Sequence, residues 1–284
     1  MPLASIPSPA HAAWHLGPLP VRAYALCVIA GILVAILIAS RRYQRSGGNR
    51  GVILDVAAWA VPFGLAGALA HAIGVDNGHA FSDEWHAVTA AVGAIGVPGA
   101  VALGALGAWI ACRRAGVGLG PVAGAVAPAL AFGLAVGGLG NWWTQQFYGP
   151  ASTWWWAVRI APTHRVPGYE NYATFQPAFL YQSLWEVALG FAVIWAARRF
   201  ALGGERTFML CAAGYAAGGI WVETLRVGPL PHVLGVRYGA LGDIAVFVLA
   251  AAGMYLTRPG RRPPARAQAK RPVVEGPSGD VMSV

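Results

Sequence analysis

The chain has 284 residues, of which 57% are apolar and only 11% are charged. Soluble domains carry about 25% charged residues, so the composition excludes an ordinary soluble domain and indicates an integral membrane protein. The formal net charge is +9, but the basic residues are spread over short connecting segments. Nucleic-acid binding needs positive charge on one folded face, so the sequence predicts no nucleic-acid partner.

Seven apolar segments follow one another along the chain, each close to the length of about 20 residues that crosses a bilayer as a helix. The predicted spans are 21–40, 52–74, 87–111, 119–140, 177–197, 207–225 and 239–257. We therefore predict an all-α integral membrane protein with about seven transmembrane helices. Its predicted parts are an extracytoplasmic N-terminal segment (1–20), a seven-helix domain (21–257) with an outer loop region (141–176), and a basic, disordered cytoplasmic tail (258–284).

The connecting segments differ in charge, and this difference predicts the orientation. Fifteen Lys and Arg residues lie in the loops after spans one, three and five and in the tail, whereas five lie on the opposite side. Cytoplasmic loops carry an excess of Lys and Arg in membrane proteins. The N-terminus is therefore expected outside the membrane and the C-terminus in the cytoplasm.

Several ionisable residues fall inside or at the ends of predicted spans, where a charge is costly and usually faces a cavity or a partner. They are His71, Glu186, Glu223, Arg226 and Asp243. A structural interpretation competes with a functional one. Glu223 and Arg226 are three residues apart on one helical face and would neutralise each other, and His71 would pack between helices. Since no metal-ligand spacing such as HExxH occurs, we predict no metal site and no cofactor.

Uncharged polar residues map to the same outer half of the spans. They are Tyr24, Asn141, Gln146, Gln176, Tyr181 and Gln182. Amides at this depth are either interhelical hydrogen-bonding groups, worth roughly 1 kcal/mol each, or the lining of a cavity. Because several spans contribute such groups at one depth, we predict a cavity that opens toward the outer leaflet.

Four segments together resemble one family, the phosphatidylglycerol–prolipoprotein diacylglyceryl transferases. The N-terminal stretch SIPSP…WHLGPLPVRAYAL is similar to the family's proline-rich entry into the first span, and GNWWTQQFYG is similar to its signature motif. The stretch QPAFLYQSLWE resembles the start of the fifth span, and GGIWVETLR resembles the sixth. The likeness runs from about residue 4 to residue 257.

The resemblance implies a multi-pass enzyme of the bacterial cytoplasmic membrane. Members move the diacylglyceryl group of phosphatidylglycerol onto the lipobox cysteine thiol of a prolipoprotein and release glycerol phosphate. The implied partners are phosphatidylglycerol or a related lipid, a prolipoprotein lipobox segment, and the membrane. The chemistry needs a cation for the phosphate and a group that favours the thiolate. Carried onto this chain, the catalytic candidates are Glu223, His71 and Tyr24, and the substrate-binding candidates are Asn141, Gln146, Arg226, Gly140, Gly149, Gln176 and Tyr181.

This chain departs from the family pattern at its charged positions. Two arginines that are essential in the family fall on Gly138 and Gly219. The other departures are Ala68 for an arginine, Gln146 and Gln182 for glutamates, and Gln176 and Pro98 for histidines. Because acidic and basic residues are lost together, the fold is expected to avoid a buried unpaired charge. Arg226 is then expected to take over the contact with the phosphate.

Two other functions stay open beside the family reaction. One is a catalytically impaired paralogue that binds lipid or lipoprotein, or that partners a functional transferase. The other is an enzyme of the same fold that acts on a less anionic lipid, for which amides would serve better than arginines. Diacylglyceryl transfer is the function that we predict.

Overall fold

The computed structural model describes residues 5–9, 11–16, 19–75, 97–228, 232–233 and 236–257. The helices in these ranges are α1 (Ala23–Arg45), α2 (Arg50–Val75), α3 (Val97–Arg114), α4 (Leu119–Gly138), α5 (Asn141–Thr144), α6 (Ala178–Arg199), α7 (Gly204–Leu225) and α8 (Tyr238–Leu256). The strands are β1 (Ile6–Pro7), β2 (Ala13–Leu16), β3 (Leu19–Arg22), β4 (Val158–Arg159), β5 (Thr174–Phe175), β6 (His232–Val233) and β7 (Val236–Arg237).

Among the described residues, five helices are long and apolar enough to cross a membrane: α1, α2, α4 with α5, α6 and α7. The predicted all-α membrane fold is confirmed. Five of the seven predicted spans overlap these five helices, and the third and seventh overlap α3 and α8. The first part of the third predicted span, 87–96, and the predicted tail lie outside the described residues. The number of seven spans stays a prediction. α1 extends beyond the predicted residue 40 to Arg45, because cations suit the negative end of a helix dipole.

Small residues let the helices approach one another closely. A Cβ atom at Gly31 of α1 would meet the carbonyl oxygen of Gly133 of α4, and a Cβ atom at Gly204 of α7 would meet the carbonyl oxygen of Gly120 of α4. Lipid supplies no hydrophobic force between helices, so close packing of this kind holds a bundle together. α4 is the centre of the bundle, since it packs on α1, α6 and α7, while α2 packs on α3 and α8 on α7.

Residues 145–177 form a folded unit outside the helices, which we name the outer cap. β4 pairs antiparallel with β5 and parallel with β1, so the N-terminal segment is one edge of a three-stranded sheet. Phe175 and Tyr148 are buried in the core of the cap. The Tyr148 hydroxyl donates to the carbonyl oxygen of His164 at 2.8 Å and accepts from the amide of Val166 at 2.9 Å. These bonds join the first part of the cap to the segment that contains His164 and Val166.

The two ends of the bundle differ in chemistry. The cap end carries the outer cap and the last turns of α4 and α7. The other end, which we name the basic end, carries the arginines in the last turns of α1, α3 and α6. The chain runs back and forth between these ends. The sequence-based orientation, with the cap end outside, stays a prediction.

Candidate active site

The segment that joins α4 to the outer cap lies at the centre of the cap end. α4 ends at Gly138, and the side-chain amide of Asn141 at the start of α5 donates to the Gly138 carbonyl oxygen at 3.0 Å. Gln145 then reverses the chain with a φ of 54°, a left-handed conformation that is uncommon outside glycine. Asn141 therefore stabilises the turn where the membrane helix gives way to the cap.

Gln145 is the buried amide of this segment. Its Oε1 atom accepts from the amide of Ala161 at 2.8 Å, and its Nε2 atom donates to the carbonyl oxygen of Pro9 at 3.3 Å. One side chain thereby joins the N-terminal segment to the cap. Gln146, the residue chosen from the sequence motif, is exposed. Sequence reasoning missed Gln145, for which the only signal was its place in the same motif.

Tyr24 in the first turn of α1 lies directly against this segment. A Cβ atom at Gly140 would come within 2.9 Å of the Tyr24 ring and 3.0 Å of its Cα atom. Only a residue without a side chain lets α1 approach so closely. The structure therefore brings together Tyr24 and Gly140, two of the residues selected from the sequence.

Three elements meet at Gly149. Its amide donates to the carbonyl oxygen of Gln176, which precedes α6, at 2.8 Å. A Cβ atom at Gly149 would lie 2.9 Å from the carbonyl oxygen of Leu225, the last residue of α7. Gly149 therefore joins the segment after α4 to the start of α6 and packs it against the end of α7.

Glu223 and Arg226 form an ion pair at the end of α7. The Nη1 atom of Arg226 lies 2.9 Å from Oε2 of Glu223, and the two side chains are 14% and 7% exposed. The guanidinium also lies 4.3 Å from the centroid of the Phe147 ring, and a cation is attracted to the face of such a ring. The two side chains therefore neutralise each other, as the structural interpretation of the sequence expects. The contact with Phe147 also places the Arg226 cation beside the segment that joins α4 to the outer cap.

Tyr181 in the first turn of α6 is held by aromatic neighbours. Trp156 donates from Nε1 to the Tyr181 hydroxyl at 2.9 Å, and the Tyr181 ring stacks on Trp221 with centroids 6.5 Å apart. The nearby Trp154 and Trp155 are 56% and 72% exposed. Exposed tryptophans are typical of a membrane interface. Tyr181 therefore lies where the bundle, the cap and the predicted interface meet.

Acidic and phenolic side chains from four helices come together within the bundle. Tyr24, Glu186 and Asp243 lie within electrostatic range of the Tyr215 hydroxyl, and Asp243 lies within range of Glu223. We name these five residues the polar centre. Glu186 also accepts from the side-chain amide of Gln182 at 2.8 Å, which explains an amide at position 182. Sequence reasoning missed Tyr215, because a tyrosine inside an apolar helix gives no local signal.

His71 lies in α2, but its side chain is outside the described part of the structure. Within the residues that the structure describes, no group of three or more His, Cys, Asp or Glu side chains is arranged to hold a metal ion.

Known proteins resemble this chain along nearly its whole length. The sequence model of the prolipoprotein diacylglyceryl transferases matches residues 11–256. This chain belongs to that family. The phosphatidylglycerol–prolipoprotein diacylglyceryl transferase of Streptomyces avermitilis is 45% identical over 96% of this chain and 79% of its own length. Phosphatidylglycerol–prolipoprotein diacylglyceryl transferase 1 of Streptomyces coelicolor is 43% identical over 99% of this chain and 81% of its own length. The transferase of Corynebacterium efficiens is 41% identical over 93% of this chain and 86% of its own length.

The family resemblance drawn from four sequence segments is thus confirmed. The structure also shows what surrounds Gly138 and Gly219, two positions at which this chain is expected to depart from the pattern of the diacylglyceryl transferase family. A Cβ atom at Gly219 would collide with the carboxylate of Asp243. One at Gly138 would lie 2.9 Å from Oγ of Ser183, a buried hydroxyl without a hydrogen-bond partner among the described residues. The expectation that acids are lost together with the arginines stays a prediction, and Asp243 is an acid that lies beside position 219.

Proposed function

We propose that this family member transfers the diacylglyceryl group of phosphatidylglycerol to the lipobox cysteine thiol of prolipoproteins in the cytoplasmic membrane of a bacterium. The observation that carries the proposal is the family match over residues 11–256, with 41–45% identity to named transferases over more than nine-tenths of this chain. A bundle of apolar helices fits a lipid substrate that stays in the bilayer.

Arg226 is our candidate for the group that binds the phosphate. In the proposed reaction the thiol sulfur bonds to the glyceryl carbon while the bond from that carbon to the phosphate oxygen breaks. The phosphate takes the electron pair and leaves as glycerol phosphate, so a fixed cation stabilises the developing charge. Arginine stays charged and binds phosphate through two N–H groups. Phe147 and Glu223 hold the Arg226 guanidinium in place.

The thiol proton has to leave before or during the attack, because the thiolate is the nucleophile. We propose that Glu223, Tyr24 or His71 takes part in this proton transfer. Glu223 already contacts the proposed phosphate-binding residue, and Tyr24 packs on the motif segment. The residues proposed to shape the headgroup site are Asn141, Gln146, Gly140, Gly149, Gln176 and Tyr181.

We further propose that the cap end faces the outside of the membrane. The support is the distribution of Lys and Arg, fifteen on one side of the predicted spans and five on the other. In this orientation residues 1–20 lie outside, and residues 258–284 lie in the cytoplasm. The proposed site then meets phosphatidylglycerol of the outer leaflet and prolipoproteins that have been exported.

The proposal is tested by the transfer of labelled diacylglyceryl from phosphatidylglycerol to a lipobox peptide, with the purified full-length chain. Arg226→Ala should lower the rate about tenfold or more, since a charge-assisted contact contributes roughly 1.5–3 kcal/mol. Arg159→Ala is the matched control, because Arg159 is an exposed arginine of the same cap. Equal rates for the two variants would contradict the role of Arg226. No transfer by the wild-type chain would contradict the proposed reaction.

A second function, binding of lipid or lipoprotein without turnover, is favoured by the carboxylate beside Gly219. A phosphate at this position would meet Asp243 where the family pattern supplies an arginine. The same arrangement suits an enzyme for a less anionic lipid. Streptomyces coelicolor has two relatives of this chain, 43% and 41% identical, so two members coexist in one bacterium. Retention of the lipobox peptide without transfer, in the assay above, would support this function.

A further inference from the structure

A cavity of about 580 Å³ lies at the basic end, opposite the proposed active site. Its walls are the end of α1 and the loop after it, the start of α4, the end of α6 and the start of α7. Polar side chains of Arg42, Tyr43, Ser46 and Thr207 are part of the lining. The volume falls within the range of ligand pockets, about 300–1,000 Å³. We name this cavity the basic-end pocket.

Positive charge is concentrated at this pocket. Arg42 is half-buried, and its Nε atom is buried without a hydrogen-bond partner among the described residues. Arg45 and Arg198 lie close enough for their charges to repel that of Arg42. The acid at the start of α7, Glu205, lies over Gly120 and forms no ion pair with Arg42 in the described ranges. A partly buried cation without a counter-ion is destabilising, so the pocket favours an anion.

The backbone around the pocket has the same preference. α7 begins at Gly204, which lines the pocket, and the N-cap residue Gly203 has no side chain to bond the first amides. The first turn of a helix attracts anions through these amides and the helix dipole. At the end of α1, the amides of Ser46, Gly47 and Gly48 bond the last carbonyl oxygens of that helix. Three of these carbonyl oxygens, those of Arg42, Tyr43 and Gln44, are therefore already hydrogen-bonded.

We propose that the basic-end pocket is a second ligand site, which binds a phosphate group. Arginine and a helix N-terminus are both suited to phosphate. Two sources share this chemistry: the headgroup of an anionic phospholipid and a soluble phosphate. The pocket lies level with the arginines that end the helices, which is the depth of lipid headgroups, and basic pockets between helices bind anionic headgroups there. This site does not depend on the transferase reaction at the cap end.

The test is a titration of the purified full-length chain in detergent, in which binding is measured as a rise in the thermal unfolding midpoint. One arm adds phosphatidylglycerol, and the other adds inorganic phosphate against chloride at equal ionic strength. Arg42→Gln should weaken the stabilising interaction about tenfold or more, because a charge-assisted contact is lost. Arg198→Gln, which alters an exposed residue at the rim, should weaken it less and serves if Arg42→Gln does not fold.

Arg199→Gln is the matched control. Arg199 is the next residue on α6, is exposed, and lies 5.8 Å from the ring centroid of Phe200 outside the pocket lining. All three variants keep the cap end intact, so lipid that binds there contributes equally to each. Weaker binding of lipid alone by Arg42→Gln would assign a headgroup site, and equally weaker binding of inorganic phosphate would assign a soluble phosphate. The proposal is overturned if Arg42→Gln and Arg199→Gln titrate alike, or if neither probe stabilises the wild-type chain.

Discussion

The carboxylate of Asp243 on α8 fills the space beside Gly219 on α7. The resemblance found in the sequence predicts a family arginine at position 219, and in that case this chain keeps an acid beside a position that has lost its cation. Asp243 also lies within electrostatic range of Glu223 and Tyr215. The polar centre therefore contains three carboxylic acids, and the cation that adjoins it at the end of α7 is Arg226. We therefore expect such a site to bind an anionic lipid less well than a site that carries arginines at positions 138 and 219.

Gly219→Arg should raise the rate of diacylglyceryl transfer. The new side chain would displace the end of the short, rotatable Asp243 side chain, which would then neutralise the new buried charge. One charge-assisted contact with the phosphate, roughly 1.5–3 kcal/mol, corresponds to an increase of about 10- to 150-fold. The measurement is the initial rate of transfer of labelled diacylglyceryl to a lipobox peptide.

Two variants separate the charge of this arginine from its bulk. Gly219→Met adds a side chain of similar length without a charge and should give no gain. Gly219→Arg with Asp243→Asn should lose most of the gain, because the new cation then lacks its partner. Combining Gly219→Arg with Gly138→Arg and Gln146→Glu should raise the rate of transfer more than either arginine substitution alone. A methionine variant as active as the arginine variant would refute the electrostatic explanation.

Glu223→Gln should lower the thermal unfolding midpoint of the chain in detergent. Glu223 accepts from Arg226 at 2.9 Å, and both side chains are largely buried. Loss of one partner from such a pair costs about 1–3 kcal/mol. Glu205→Gln is the control, since Glu205 is exposed at the opposite end of the same helix and should change stability by less than about 0.5 kcal/mol. Equal midpoints for the two variants would mean that the ion pair does not stabilise the fold.

The helices were predictable from the sequence because a run of about 20 apolar residues has few arrangements in a bilayer that satisfy its backbone. The predicted span 177–197 corresponds to the helix Ala178–Arg199 for this reason. The end of α1 was predicted less well. Apolar character stops near residue 40 where the arginines begin, but the helical hydrogen bonds continue to Arg45.

The candidate site was less predictable, because it depends on the direction of single side chains and on contacts between helices. The motif indicates the right segment, but the left-handed backbone at Gln145 decides which of two adjacent glutamines is buried. The contact between Asp243 and Gly219 joins two helices, and no local pattern in the sequence reports it. Such relationships follow from packing of the whole bundle.

Cysteine labelling should place the two ends of the bundle on opposite sides of the membrane. Thr153 in the outer cap and Ala115 in the loop between α3 and α4 are both exposed. In a background without the native cysteines, Thr153→Cys should react with a membrane-impermeant maleimide in intact cells. Ala115→Cys should react only after permeabilisation, because its loop follows the arginines of the basic end. Strong labelling of Ala115→Cys in intact cells would reverse the proposed orientation.

Tyr148→Phe should loosen the outer cap without altering the membrane helices. The hydroxyl donates to His164 at 2.8 Å and accepts from Val166 at 2.9 Å, and leaving two such partners unsatisfied costs about 1–3 kcal/mol. Burial raises the pKa of Tyr148 above the ordinary value of 10.0, so the hydroxyl remains a donor at neutral and mildly alkaline pH and the effect of the substitution should not vary there.

Limited proteolysis of the full-length chain measures the effect of Tyr148→Phe as faster cleavage within residues 145–177. Tyr172→Phe, at a tyrosine that is 52% exposed in the same cap, is the control and should be cleaved like the wild type. Because Gly149 of the cap bonds to Gln176, a cap that opens in this way should also slow diacylglyceryl transfer. An unchanged cleavage rate for Tyr148→Phe would show that the two hydrogen bonds of the Tyr148 hydroxyl do not hold the cap together.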